Sequence, residues 1–376
     1  MPRNRIIYQS EAVYAGPSPA TGYHFTNRFG LPDNTGVSNV KQLQRVQTAN
    51  YSFNVDRTDV NQFGQLAAID RVILTSPTVS MDMSYILANL ANENVLGLYV
   101  QSGTQPEITA ISGILTKVTD EKNYFIKTTT EGTDAVNNFA TGTEIGVIGI
   151  GNGFISSYSS EASVGNFPTV SVNVEGLNMA FQQGTTGNYI PAILPADGSE
   201  LTGTLYALPP AASSIALNTL GASGISALRP GDISLTLPST IGATSSTFNV
   251  QSYTLSFDLS RTPIDRLGSK FSFAREIDFP VTVNLSVDAQ VTDLTTGTVA
   301  QLVQADSSTF YNPIIRINNP GVTNQTVVQY SLKRAKLDSQ EFSSDIGSNK
   351  SVTLNFSSQI GGPQDNNNGL FISGLY

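Results

Sequence analysis

Two stretches of this 376-residue chain carry one pattern, 204 positions apart. Residues 46–84 read VQTANYSFNVDRTDVNQFGQLAAIDRVILTSPTVSMDMS, and residues 250–286 read VQSYTLSFDLSRTPIDRLGSKFSFAREIDFPVTVNLS. Ser52, Phe53, Arg57, Thr58 and Gly64 recur as Ser256, Phe257, Arg261, Thr262 and Gly268, and Val60 and Phe63 are answered by Ile264 and Leu267. Such self-similarity means two copies of one supersecondary unit, so whatever fold holds the first must accommodate the second. Within each copy, apolar residues first alternate with polar ones: Tyr51, Phe53 and Val55 against Asn50, Ser52 and Asn54. That period of two predicts a half-buried strand. The next residues predict a short helix. Thr58 is placed as its cap, Asp59 lies in its first turn, Val60 and Phe63 share a face, and Gly64 stops it. The second copy repeats this with Thr262, with Pro263 at the first helical position, and with Gly268 as the stop. A return strand follows in each, most regular in VTVNLSV at 281–287.

A second echo closes the copies. Val164-Gly165 with Thr169-Val170-x-Val172-Asn173 is matched by Ile346-Gly347 with Ser351-Val352-x-Leu354-Asn355, now 182 residues apart. The smaller offset places about twenty extra residues in the first copy, within 85–153. This divides the chain into a first unit at 1–181 with an inserted β region at about 95–152, an ordered connector at 182–245, and a second unit at 246–376. The expected class is mainly β with a few short helices: a tandem pair of β-sandwich or barrel units related by internal duplication. A short helix is expected around 87–92, a connector strand around 232–237, and a last strand in LFISGLY. The first expected strand, 5–13, is either an edge strand or an arm that adds to a neighbour's sheet.

Composition narrows the function. Cysteine and tryptophan are absent, only 13% of residues are charged, and the net charge is −9. No disulfide, thiolate nucleophile or Cys-ligated zinc is available. A surface poor in charge and rich in Ser, Thr, Asn and Gln suits large protein contacts, because burying charge is costly. The acidic balance disfavours attractive nucleic-acid binding, which needs Lys and Arg on phosphates. Neither a secretory leader nor an apolar run of about 18 residues is expected, so no membrane partner is assigned.

Candidate chemistry is sparse. The single histidine, His24, has no second His or Cys beside it and no nucleophile elbow to serve. GVIGIGNG at 146–153 matches neither nucleotide-binding fingerprint and reads as a tight β-turn or bulge. DNNNG at 365–369 reads as an Asx-rich turn rather than a calcium loop. No catalytic, cofactor or metal residue is assigned, and no enzyme activity is expected; a carbohydrate-binding or hydrolysing β protein is the enzymatic rival. Arg57 and Arg261, at equivalent junctions, either contact a neighbouring subunit or brace their own unit. With Thr58, Thr262, Gly64 and Gly268 they form the set of repeat-equivalent structural and assembly residues.

The unit of amphipathic strand, Arg-Thr, short helix, Gly and return strand resembles the tail tube proteins of long-tailed bacteriophages. So do GFISSYSSEASVGNFPTVSVNVEGLNM at 153–179 and the opening RIIYQSEAVYAG. The duplication resembles the kind in which each chain carries two tube domains and a homotrimer imitates a hexameric ring. The resemblance implies a virion structural protein, made in the host cytoplasm, whose rings stack into a hollow tube that conducts DNA during ejection. It implies self-association, contacts with tail terminator, tape measure and distal tail proteins, and DNA passing without specific binding. A capsid decoration, baseplate or receptor-binding protein is the alternative.

Overall fold

The computed structural model describes residues 11–17, 40–102, 108–117, 119–135, 146–183, 186–194, 198–207, 227–238, 248–272, 274–293, 298–304, 309–320, 325–344 and 349–376. The expected N-terminal arm lies largely outside these residues, and His24 lies outside them altogether. The chain begins with β1 (Glu11–Pro17), β2 (Lys41–Gln42), β3 (Val46–Asn54), β4 (Arg57–Val60), β5 (Asp70–Ile73) and β6 (Thr78–Ile86). Helix α1 (Ala91–Leu96), β7 (Val100–Gln101) and helix α2 (Ser112–Leu115) lead to β8 (Lys122–Thr128) and the 18-residue β9 (Gly146–Ser163). Next come β10 (Thr169–Gly176), β11 (Asn178–Gln183), β12 (Thr186–Ile193), β13 (Glu200–Ala207) and β14 (Ile233–Thr236). The rest is β15 (Phe248–Asp258), β16 (Arg261–Ile264), β17 (Ala274–Ile277), β18 (Thr282–Val291), helix α3 (Val299–Gln304), β19 (Ile314–Asn318), β20 (Thr326–Lys333), β21 (Lys336–Ser343), β22 (Ser351–Gln359) and β23 (Gly369–Gly374). The chain is mainly β, as its alternating patterns predict.

Strand β9 organises the larger, twelve-stranded sheet. Its first half pairs with β8 and β11, and its second half pairs with β10 and β15. The second half thereby sits inside an antiparallel run of eight strands, β3-β6-β10-β9-β15-β18-β22-β21. A five-stranded sheet, β14-β19-β20-β23-β7, lies beside it, antiparallel except where β23 meets β7. Alternation dictates the sides. In β6, Val79, Met81, Met83 and Tyr85 are buried while Ser80 and Asp82 are exposed; in β18, Val283, Leu285, Val287 and Ala289 are buried while Asn284 and Asp288 are exposed. One apolar core takes the inward residues of both halves.

The halves of the eight-stranded run are paired in the same way. β3 and β6 set Tyr51 opposite Met81, and β15 and β18 set Leu255 opposite Leu285, with a register shift at Val46/Thr48 and at Val250/Ser252. β10 sets Val172 opposite Met83, and β22 sets Leu354 opposite Val287. The β10–β9 ladder shifts beside Asn173, where Ser156 is the extra residue, and the β22–β21 ladder shifts between Leu337 and Ser339. Asn152, with φ 52°, and Arg334, with φ 53°, hold a left-handed bend at matching points, within β9 and between β20 and β21. Every one of these correspondences keeps the offset of 204 or of 182 found in the sequence.

The predicted helices at 58–64 and 262–268 are absent. These residues form hairpins instead: β4 with β5, setting Arg57 opposite Ile73, and β16 with β17, setting Arg261 opposite Ile277. Thr58 and Thr262 are strand residues rather than helix caps, and Pro263 lies in β16. Gly64 and Gly268 do take the left-handed conformation, at φ 86° each, but in the turns closed by Gln65 N to Gln62 O and Ser269 N to Arg266 O. The physical reason is exposure. Phe63 and Leu267, read as the buried faces of helices, are fully exposed, so no core was there to stabilise two short helical turns. The expected helix near 87–92 occurs slightly later, as α1. GVIGIGNG is not a turn but the start of β9, and it carries the expected bulge: the β8–β9 ladder shifts between Lys122 and Tyr124, with an extra residue of β9 between Ile150 and Gly153. Gly149 and Gly151 admit Pro191 of β12: a Cβ on Gly151 would collide with the Pro191 carbonyl group. DNNNG does form an Asx-type turn, with Asp365 accepting from the backbone N–H groups of Asn367 and Asn368. The predicted connector strand and last strand are β14 and β23.

Helix α1 drives one carboxylate into the core. Glu93 accepts from the Tyr85 hydroxyl at 2.8 Å and the Tyr158 hydroxyl at 3.2 Å, and Tyr158 is 2.9 Å from Tyr330. Burial pushes the Glu93 carboxyl up to about 7, although the two tyrosine hydrogen bonds and a backbone one pull it down. The folded state therefore binds more protons than the unfolded chain between pH ~4.5 and ~7, and stability falls as pH rises through that window. Glu93→Gln is expected to gain on the order of 3 kcal/mol over the parent at pH 8 and nothing below pH ~4.5. Urea unfolding of both proteins at pH 5 and pH 8 checks the difference.

Candidate functional site: a polar sheet face between two open edges

The outward face of the eight-stranded run is built from hydroxyls, amides and carboxylates. Thr48, Asn50, Ser52 and Asn54 stand on β3; Ser157, Ser159, Glu161 and Ser163 on β9; Ser252, Thr254, Ser256 and Asp258 on β15; and Ser351, Thr353, Asn355 and Ser357 on β22. The side chains meet in cross-strand pairs. Thr48 lies 2.7 Å from Ser84, Asn50 donates to Asp82 at 2.7 Å, and Ser52 lies 3.0 Å from Ser80. In the other half, Asp288 accepts from Ser252 at 2.8 Å and Thr353 at 2.6 Å, and Asn355 donates to Ser339 at 2.8 Å. Such pairs hold a polar surface in register.

The charges on this face are predominantly of one sign. Asp82, Glu161, Glu175, Asp258, Asp288 and Glu341 stand on its strands, and Lys336, opposite Ser357 at the start of β21, is the one base among its outward strand positions. At one margin Glu175 comes within 4.0 Å of Arg275 on β17. A surface that repels phosphate and offers hydroxyls to water lets a polyanion lie near it without being held.

The run ends in two open edges. Among the described residues, β3 pairs only with β6, and β21 pairs only with β22. Both are long for edge strands, and each carries a large apolar side chain on its core-facing side. Phe53 on β3 is 59% exposed and Phe342 on β21 is 44% exposed. At the matching place inside the chain, Phe257 is only 1% exposed and stacks on Tyr158 with ring centroids 5.3 Å apart. Long open edges with exposed aromatic residues invite strand addition.

Arg57 and Arg261 share one contact and differ in everything else. Each reaches across its hairpin to a backbone carbonyl, Arg57 to Arg71 at 3.4 Å and Arg261 to Arg275 at 3.1 Å. The Arg261 side chain is 3% exposed, forms a 2.5 Å ion pair with Asp120, and lies 4.5 Å over the Phe154 ring. Arg57 is exposed. Asp120, invisible to motif reading because it lies 141 residues away, is thus the partner that fixes the second hairpin against the first half. Burial pushes the Asp120 carboxyl up despite the downward pull of Arg261, so its desolvation is not fully compensated. Removing one partner of such a pair leaves a buried charge. Arg261→Ala is expected to cost about 3–5 kcal/mol, against less than about 0.5 for Arg57→Ala, in equilibrium denaturation. Of the other repeat-equivalent residues, Thr262 donates to Asp278 at 2.7 Å, Thr58 is exposed, and Gly64 and Gly268 shape the two hairpin tips. The six residues do not converge on one site. No group of three or more His, Cys, Asp or Glu suited to a metal occurs among the described residues.

No family model and no curated protein matches the chain. Among solved structures, it is similar to a chain from the virion of a native gene transfer agent particle, at 16% identity over 38% of this chain and 97% of that one, with a TM-score of 0.23. It is also similar to a chain of the anti-feeding prophage baseplate, at 15% identity over 34% and 90%, with a TM-score of 0.24. At these scores neither likeness assigns the chain a fold or a role.

Proposed function

We propose that the chain is a structural virion protein: the subunit of a hollow tail tube in a long-tailed phage, forming rings that stack and conduct DNA. The observation that carries this reading is the eight-stranded run itself. It consists of two four-stranded halves with the same register, β3-β6-β10-β9 and β15-β18-β22-β21, joined edge to edge, with an open edge at each end. A joint that leaves the same two edges free adds another chain head to tail, and such heterologous contacts close into rings or run on as filaments.

The dimensions suit a conduit. Three chains contribute about 24 strands, and at ~4.8 Å per strand and ~40° tilt the backbone circle is roughly 45–50 Å across. Side chains narrow it to about 40 Å, wider than a DNA duplex of about 20 Å. The acidic, hydroxyl-rich face then lines the channel. The hairpin tips, with Phe63 and Leu267 exposed at equivalent positions, face the next ring. Unit boundaries at 1–181 and 246–376, with 182–245 between them, belong to this reading. So do tail terminator, tape measure and distal tail partners. Negative-stain microscopy of the purified protein or of virions tests it: hollow stacked rings are expected, and solid spikes or label over the head rather than the tail shaft would overturn it in favour of another virion protein.

A further inference from the structure

We infer that β21 of one chain pairs with β3 of the next in a defined register, setting Ser52 opposite Glu341 and Tyr51 opposite Phe342. The inference rests on the ring reading and gives its joint residue by residue. The warrant is the joint already present inside the chain. There β15 and β9 run antiparallel from Ser252↔Ser163 to Asp258↔Ser157, flanked by Val164 N to Gln251 O at 3.0 Å and Leu259 N to Ser156 O at 2.7 Å. β3 corresponds to β15 at the offset of 204, and β21 corresponds to the second half of β9 at 182. The correspondence extends to the displaced residue in each ladder, beside Asn173 and beside Ser339. Carrying both offsets across the joint sets Asn50 opposite Ser343, Phe53 opposite Gln340, and Asn54 opposite Ser339.

Three features of the two edges fit that register. First, the flanking bonds place Leu255 and Phe257 in hydrogen-bonded pairs with β9, so Tyr51 and Phe53 turn their backbone N–H and C=O groups toward the open side of β3. Second, the aromatic residues meet. Tyr51 and Phe342 fall directly opposite on the core-facing side, and Phe53 takes the place held internally by the buried Phe257. The internal joint pairs Leu255 with Ser160 and Phe257 with Tyr158; the joint between chains pairs Tyr51 with Phe342 and Phe53 with Gln340, exchanging the bulky position. Third, the outward pairs put no like charges opposite one another: Ser52 faces Glu341, and Asn50 faces Ser343. Pairing β3 with a second β3 would instead give a twofold dimer and stop growth.

The chain has no cysteine, so engineered pairs report the joint cleanly. Positions 52 and 341 form a non-hydrogen-bonded pair, with Cα atoms about 4.5 Å apart, within disulfide reach. Ser52→Cys/Glu341→Cys under mild oxidation is expected to give chain-to-chain disulfides, with Asn50→Cys/Ser343→Cys as an independent second pair. Ser52→Cys/Ser343→Cys and Ser52→Cys/Ser339→Cys, each displaced by two residues, are expected to react at least about tenfold more slowly, because diagonal neighbours lie ~7–8 Å apart. Rings visible by microscopy with faster reaction at a displaced pair would overturn the register and leave the ring reading intact. Absence of both rings and cross-links would overturn both. A Ser52→Cys single variant that dimerises through its own disulfide would show β3 pairing with itself and overturn the inference.

Discussion

Tyr51→Pro is expected to abolish assembly while leaving a folded, soluble monomer. Tyr51 lies mid-strand in β3 with its N–H directed away from β6, so proline there breaks no bond of the β3–β6 ladder. It removes a donor at the centre of the open edge and places a ring where the incoming strand must approach. A joint with the register of β15 and β9 offers about five residue pairs along β21, each hydrogen bond contributing ~0.5–1.5 kcal/mol net, plus roughly 1.5–3 kcal/mol for each aromatic side chain newly buried. Losing the central pair and distorting its neighbours weakens each joint by on the order of 3 kcal/mol, above a hundredfold, and a closed ring multiplies that over every joint. Size-exclusion chromatography with light scattering gives the readout. Tubes formed by the variant at parental concentrations would remove β3 from the assembly contact.

The second large effect concerns charge on the polar face. Changing Asp82, Glu161 and Asp288 together to lysine converts a face with six carboxylates and one base, Lys336, into one with three carboxylates and four bases. The changes cost side-chain bonds from Asn50, Thr169, Ser252 and Thr353, each worth about 1 kcal/mol or less at exposed sites. The gain is electrostatic. Every phosphate neutralised steepens the salt dependence of DNA binding by about 0.9 in the log–log slope. Variant tubes are expected to retain duplex DNA in sedimentation at low salt and release it as salt rises, while parental tubes retain none. Parental tubes that bind duplex as tightly as the variant would contradict a channel lined by this face.

Much of this organisation is legible in the chain. The repeat announces itself through Ser52, Phe53, Arg57 and Gly64 and their partners at 256, 257, 261 and 268, and period-two alternation gives the strands and both faces of β3 and β18. At the hairpins the pattern misleads, because spacing cannot reveal where the core is. Val60 and Phe63 have helical separation, yet Phe63 projects from a hairpin tip with nothing to pack against. Gly146, Gly149 and Gly151 resemble a turn because glycine punctuates loops, whereas Gly149 and Gly151 make room for Pro191. The Glu93 cluster and the Arg261–Asp120 pair join residues far apart in sequence, for which a local pattern leaves no trace. Arg57 and Arg261 are indistinguishable as letters and separate only once the neighbouring half is in place. Nor does sequence say which strands adjoin across the two halves; the β9–β15 joint supplies that, and with it the meaning of the open edges.

In the proposed tube, each chain supplies two neighbouring positions of a closed ring. End-on class averages by cryo-electron microscopy, combined with the native mass of the same rings, test it most directly. Six similar lobes from three chains are expected. A ring with as many lobes as chains would contradict it.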